Sequence, residues 1–210
     1  MTLELAGVSL TLPDGGAPLF QPVSLIAQPG QIVTLMGPSG IGKSTLLDHI
    51  GGHLAPDVTV TGRLLLNGTD LSGLAPEARR IGMLFQDATL FPHLSVGANL
   101  AFGLVRGTRT ERQERVDAAL GSVGLAGFRN RDPATLSGGE RTRVALMRTL
   151  LAGPRAVLLD EPFSKLDQST RAEVRALVIE HVRAAGIPAL MVTHDPADAA
   201  ATGGPVITLR

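Results

Sequence analysis

Gly37-Pro38-Ser39-Gly40-Ile41-Gly42-Lys43-Ser44 carries the strongest chemical signal in the chain, fitting the pattern G-x-x-x-x-G-K-S. Glycines let a backbone curl around phosphate oxygens with its N–H groups pointing inward, and a following helix N-terminus adds a favourable field. In that geometry Lys43 reaches the β- and γ-phosphates of a nucleoside triphosphate, and the Ser44 hydroxyl ligates Mg²⁺. The context fits: the apolar run Gln31–Met36 precedes the loop and a helical run from Thr45 to Ile50 follows it. A glycine-rich turn without a ligand is the competing reading, and the Lys-Ser pair argues against it. Alone, the loop does not separate kinases, GTPases, helicases and motors.

Two further stretches could act on the same phosphates. Ala156-Val157-Leu158-Leu159-Asp160-Glu161 is an apolar strand ending in two acids. Asp160 can hold the Mg²⁺ shell through water, while Glu161 can orient and deprotonate an attacking water. A general base beside a metal ligand suits hydrolysis better than transfer to a bound alcohol. A strand that merely ends at a solvated acidic turn is the bland alternative. Leu136-Ser137-Gly138-Gly139-Glu140 offers a second anion-binding helix start, with a hydroxyl, two glycines and free N–H groups. Ser137 with Glu140 is also an ordinary capping box, and local physics leaves both readings open.

The elements that must position these residues are legible as short apolar runs alternating with helix-period stretches, the pattern of an α/β domain with a largely parallel sheet. Gln31–Met36, 156–159 and Ala189–Thr193 have almost no polar alternation, as expected of strands buried on both faces. Leu3–Leu12 and Pro22–Gln28 flank the turn-rich stretch Pro13-Asp14-Gly15-Gly16, which predicts an antiparallel pair. From Gln86 to about Leu151 helical patterns dominate. One helix should start at Thr108 with Glu111 as its capping-box partner, another at Ser137, and a third near Thr170 with Glu173 three residues on. Residues 1–86 and 152–210 are therefore expected to form the nucleotide-binding core of a single domain, interrupted by a helical insert over 87–151.

Composition narrows the class further. The 210 residues suit one domain, and 44% hydrophobic with 18% charged residues is ordinary for a globular chain. Lysine plus arginine equals aspartate plus glutamate at 19 each, so no bulk charge points to nucleic acid. The Arg106–Arg115 stretch interleaves glutamates without aromatics and is expected to be a solvated helix face. Absence of cysteine excludes disulfides, thiolate metal sites and cysteine nucleophiles. No signal peptide opens the chain and no apolar run approaches the ~18 residues of a membrane span, so a membrane role is expected to run through a partner.

Taken in order, these motifs resemble the ABC ATPase family over nearly the whole chain. Gly37–Ser44 is similar to its Walker A loop, Val157–Asp160 with Glu161 to Walker B and its catalytic glutamate, and Leu136–Glu140 to the family signature. Gln86 falls at the Q-loop glutamine that ligates Mg²⁺, Ser164-Lys165-Leu166-Asp167 at the D-loop, and His194 at the switch histidine. His49, His53, His93 and His181 have no such support and are expected to be structural or surface residues. Phe91-Pro92-His93-Leu94-Ser95-Val96 resembles the segment by which importer ATPases grip a membrane permease.

The resemblance implies a P-loop NTPase (RecA-like) core with an N-terminal antiparallel β region and an inserted helical subdomain. It implies ATP and Mg²⁺ as cofactors, with Thr45, Glu140 and Asp167 added to the nucleotide contacts. It also implies a head-to-tail homodimer, with Lys43, Ser44, Gln86 and Asp160 of one chain and Ser137, Gly138 and Gly139 of the other around each ATP. Glu161 and His194 would act on the γ-phosphate. Integral membrane permease subunits and a separate substrate-binding protein would complete an importer, placing this chain peripherally on the cytoplasmic face of the inner membrane. A soluble ABC ATPase of an assembly machine, such as iron–sulfur cluster biogenesis, is the rival, and a P-loop small-molecule kinase a weaker one. Leu12 stands where the family usually has an adenine-stacking aromatic, Lys165 replaces a small D-loop residue, and Glu140 replaces a commoner glutamine.

Overall fold

The computed structural model describes residues 1–104 and 106–210. At its centre is a parallel sheet in which β6 (Ile81–Leu84), β7 (Ala156–Asp160), β8 (Ala189–Val192), β3 (Ile32–Met36) and β9 (Val206–Thr208) lie side by side in that order. Alternation explains why these strands read as continuous apolar runs. Along β7, Ala156 and Leu158 face one core while Val157 and Leu159 face the other. Side chains alternate across a sheet, so a strand covered on both sides must be apolar at every position.

One core packs the sheet against α1 (Lys43–Gly51) and an antiparallel sheet, β2 (Val23–Ala27), β1 (Leu3–Thr11), β4 (Thr59–Leu66) and β5 (Thr69–Asp70), again in spatial order. Leu46, Leu47 and Ile50 of α1 are fully buried there. The other core packs the opposite face against α6 (Gln168–Ala184), where Val174, Val178 and Val182 form the buried stripe, and continues into the helices between β6 and β7. These are α3 (Val96–Phe102), α4 (Arg109–Ser122) and α5 (Gly138–Leu151), with 3₁₀ turns at Phe128–Asn130 and Pro133–Thr135. A short α2 (Pro76–Arg79) precedes β6, and α7 (Pro196–Thr202) follows β8.

Two local expectations need correction. The third predicted helix begins at Gln168, not near Thr170: Asp167 caps it by accepting from Thr170 N–H at 3.0 Å and from Ser169 Oγ at 2.6 Å. A carboxylate at the helix start outcompetes a threonine two residues inside, since it also meets the helix dipole favourably. β4 was not anticipated, yet it pairs with β1 along most of its length. Gly62 interrupts its pattern, and it must be glycine, because a Cβ there would lie 2.3 Å from the Gly7 carbonyl oxygen.

The doubly buried strands set a testable cost. Leu158→Ala should lose about 2–5 kcal/mol of unfolding free energy. Val206→Ala, half exposed on edge strand β9, should change it by less than about 0.5 kcal/mol. Denaturant midpoints of both variants check the pair.

Candidate nucleotide site

The parallel sheet brings three strand ends to one edge: β3 ends before Gly37, β7 at Asp160, and β8 before Thr193 and His194. Beyond β3 the chain curls through Gly37, Gly40 and Gly42, whose φ values are +157°, +81° and +98°. Gly42 is needed for space as well as for its dihedral, since an added Cβ would lie 2.8 Å from Leu19 and 3.3 Å from Phe20. It stands at the N-cap of α1, and no side chain caps that helix. Elsewhere, Ser95, Thr108, Ser137, Asp167 and Asp195 cap α3, α4, α5, α6 and α7. First-turn N–H groups have no intrahelical partner, so α1 presents unclaimed donors to whatever lies over the loop.

The opposite end of α1 is satisfied from within. The buried Arg79 guanidinium donates to the carbonyls of His49 (2.5 Å), Ile50 (3.1 Å) and Leu74 (2.9 Å). Burial, aided by Arg79, holds the pKa of His49 below the ordinary histidine value, in keeping with a structural residue. His181 bridges the Leu177 carbonyl and Ser122 Oγ, tying α6 to the end of α4.

Lys43 is buried, and its Nζ donates to the carbonyls of Gly37 and Pro38, both at 2.9 Å. Its charge therefore sits inside the loop. Ser44 Oγ lies 3.4 Å from Asp160 Oδ1, so a hydroxyl and a carboxylate converge beside it. Burial pushes the Asp160 pKa up, with Glu161 and Asp48 adding repulsion, while Ser44 and Lys43 counter it. Glu161, next along, adopts φ +42°, a left-handed conformation costly for a non-glycine residue. Its Oε2 lies 3.1 Å from Nδ1 of the exposed His194.

The remaining expected residues distribute less simply. Gln86 donates through Nε2 to Ser164 Oγ at 3.2 Å, and no bond joins it to Ser44 or Asp160. Lys165 pairs with Asp87. Asp167 points into its own helix, and its bonds to Ser169 and Thr170 hold its carboxyl far below the usual range. Ser137 and Glu140 form the capping box: Ser137 Oγ accepts from Glu140 N–H at 3.3 Å, and the Glu140 carboxylate accepts from Ser137 N–H at 2.7 Å. Both bonds of Ser137 to Glu140 hold the Glu140 carboxyl below its ordinary pKa. Gly138 is exposed, whereas Gly139 is buried against α6, where a Cβ would lie 2.5 Å from Thr170 Cγ2. Leu12 is 40% exposed just beyond β1.

A buried amide and a half-buried guanidinium outside the motifs hold the segment after Gln86. Asn99 accepts from Phe91 N–H at 2.8 Å and donates to the carbonyls of Phe91, Leu94 and Ser95. Arg148 donates to the Thr89 carbonyl at 2.7 Å and lies over the Phe91 ring. The available signal was a lone amide between the apolar residues Val96 and Leu100, which demands partners once buried.

The family profile described as ABC transporter matches residues 20–164. The chain belongs to the ABC transporter family. It is an ATP-binding subunit whose ATP hydrolysis is coupled to transport, built on the P-loop α/β core. YnjD of Escherichia coli K12, an uncharacterized ABC transporter ATP-binding protein, is 49% identical over 93% of this chain and 90% of its own length. The thiamine import ATP-binding protein ThiQ of Cereibacter sphaeroides is 46% identical over 81% of this chain and 73% of its own. The Fe(3+) ions import ATP-binding protein FbpC of Pseudomonas fluorescens is 43% identical over 99% of this chain, which spans 58% of that protein. Among solved structures, the dimeric structure of MJ0796, a bacterial ABC transporter cassette, superposes with a TM-score of 0.81 at 32% identity, covering 99% of this chain and 94% of that one.

The raised pKa of Asp160 gives a stability prediction with a definite sign. A carboxyl that binds its proton more tightly when folded stabilises the nucleotide-free fold as pH falls toward 3.8, and weakens it at neutral pH. Asp160→Asn should therefore raise the melting temperature of the nucleotide-free protein at pH 7, while lowering ATP hydrolysis at least ~100-fold. Differential scanning calorimetry beside phosphate release tests both halves.

Proposed function

We propose that this chain energises an ABC-type importer as one half of a head-to-tail dimer with two ATPs at its interface. The open start of α1, with the Lys43 ammonium inside the loop and Ser44 and Asp160 beside it, is the observation that carries this reading. Gly37 to Ser44, with Thr45 in the first helical turn, would wrap the phosphates. Lys43 would exchange its two loop carbonyls for β- and γ-phosphate oxygens. Mg²⁺ would enter with the nucleotide and neutralise charge on the transferred phosphate. One hydroxyl and one carboxylate are a donor set suited to a cation that keeps several waters and phosphate oxygens. Gln86 would join them on leaving Ser164.

Glu161 is the proposed general base and His194 the proposed γ-phosphate contact. In the isolated chain each occupies the other. Engagement of ATP would separate them, freeing Oε2 to accept a proton from water and Nδ1 to donate toward phosphate. The Ser137 hydroxyl and the N–H groups of Gly138 and Gly139 would complete the site of the second chain, supplying donors that the first chain lacks. Glu140 would hold Ser137 in place, and Asp167 would fix the start of α6 at the interface.

Several features support a permease as the partner. Relatives are named for import, and the similar cassette is described as dimeric. The segment Phe91–Val96 is pinned by Asn99, and Phe91 packs at 4.8 Å against Phe102, which is 68% exposed. Beside it a groove of about 490 Å³, lined in part by Ser95, Gly97, Ala98 and Arg129, opens between α3 and α4. A separate substrate-binding protein and a position on the cytoplasmic face of the inner membrane complete the proposal.

Glu161→Gln tests it. Nucleotide affinity should stay within about threefold while turnover falls at least ~100-fold, and light scattering should show an ATP-dependent dimer. Wild-type turnover in that variant would remove Glu161 from its role.

A further inference from the structure

Glu161 and His194 lie far apart in sequence, yet a single guanidinium holds the segments that carry them. Arg171, in the first turn of α6, donates through Nη2 to the carbonyls of Ser164 (3.3 Å) and Leu166 (3.2 Å), and through Nη1 to Asp195 Oδ2 (2.9 Å). Ser164 and Leu166 belong to the turn that runs on from Glu161, and Asp195 directly follows His194. The circuit closes at both ends. Ser164 N–H and Oγ donate to the Glu161 carbonyl at 3.2 Å and 2.9 Å, and His194 Nδ1 lies 3.1 Å from Glu161 Oε2.

The placement of this arginine is informative. A cation near the start of a helix opposes the helix dipole, and α6 already has its cap in Asp167, so dipole and capping do not account for Arg171. Asp195 divides its oxygens cleanly: Oδ1 accepts from Ala197 N–H at 2.8 Å to start α7, which leaves Oδ2 for Arg171. A planar, forked guanidinium can serve a carboxylate on one edge and two carbonyls on another, a geometry that a single ammonium cannot reproduce.

We propose that Arg171 is a positioning residue for hydrolysis, locking the Glu161–Leu166 turn to the His194 turn so that both move as one body when ATP engages. The inference rests on the roles proposed above for Glu161 and His194. Arg171 touches no substrate in this account. Its loss should therefore misplace the general base and the histidine relative to each other without weakening the grip of Lys43 and the loop on ATP.

Steady-state hydrolysis and ATP binding of the full chain test this in Arg171→Ala, Arg171→Lys, Asp195→Asn, the Arg171→Ala/Asp195→Asn double variant, and Glu161→Gln as control. Asp195→Asn keeps an oxygen for the α7 cap and loses the charge that faces Arg171. Arg171→Ala and Asp195→Asn should each lower kcat about 10–100-fold with KM for ATP within about twofold. The double variant should lose no more than the worse single one, because both cut the same link. Arg171→Lys should recover only part of the rate.

Wild-type kcat in Asp195→Asn, a KM that rises with the loss of kcat, or a double variant whose loss is the product of the two singles would each overturn the positioning role. Should Arg171→Ala fail to fold, Arg171→Lys and Asp195→Asn still decide the question. Loss of turnover in Glu161→Gln with no effect at Arg171 and Asp195 would overturn this inference alone. An active Glu161→Gln would overturn the site reading beneath it.

Discussion

Helix α1 starts without a cap, and much of the structure serves that one feature. The longer helices that follow close their first turns with a side chain: Thr108, Ser137 and Asp167 spend their oxygens on α4, α5 and α6. Gly42 has no side-chain oxygen to spend. An unmet helix start is costly unless something else supplies the acceptors, and phosphate oxygens are well suited to it. Arg79 closes the other end of the same helix, so its carbonyls are satisfied from inside while its donors stay open. The parallel sheet completes the arrangement by ending β3, β8 and β7 side by side, which brings the loop, His194 and Asp160 to a common edge.

The same edge holds less favourable features. Asp160 is partly buried beside a second carboxyl, and Glu161 adopts a left-handed backbone. Both cost stability, and a cation and a triphosphate at this edge would offset that cost. Glu161 and His194 meanwhile meet across 3.1 Å, each taking up a polar atom of the other.

Much of this is legible in the amino-acid sequence, and the exceptions have physical causes. β3, β7 and β8 stood out because burial on both faces demands apolar residues at every position, and the glycines and Lys-Ser pair mark a strand-to-helix turn that few other constraints would produce. β4 was hidden because its first half is mostly exposed and Gly62 breaks it for a reason that lies on another strand, the Gly7 carbonyl. Ser137–Glu140 stayed ambiguous for a deeper reason. Its capping box is fully formed in the single chain, and a helix cap and an anion-binding helix start call for the same residue types. Asn99 and Arg148 bond mainly to backbone groups, as Arg171 does at Ser164 and Leu166, and backbone groups carry no side-chain identity by which the sequence could name them.

In the proposed dimer the loop around Lys43 forms half a site and the start of α5 in a second chain forms the rest. Mixing two disabled proteins tests it most directly. Lys43→Ala spoils the loop and leaves Ser137 intact, while Ser137→Ala does the reverse, so a mixed dimer would contain one intact composite site and one doubly damaged one. The mixture should hydrolyse ATP several-fold faster than the two variants measured apart. A mixed rate no greater than the average of the separate rates, with mixed dimers shown to be present, would contradict it.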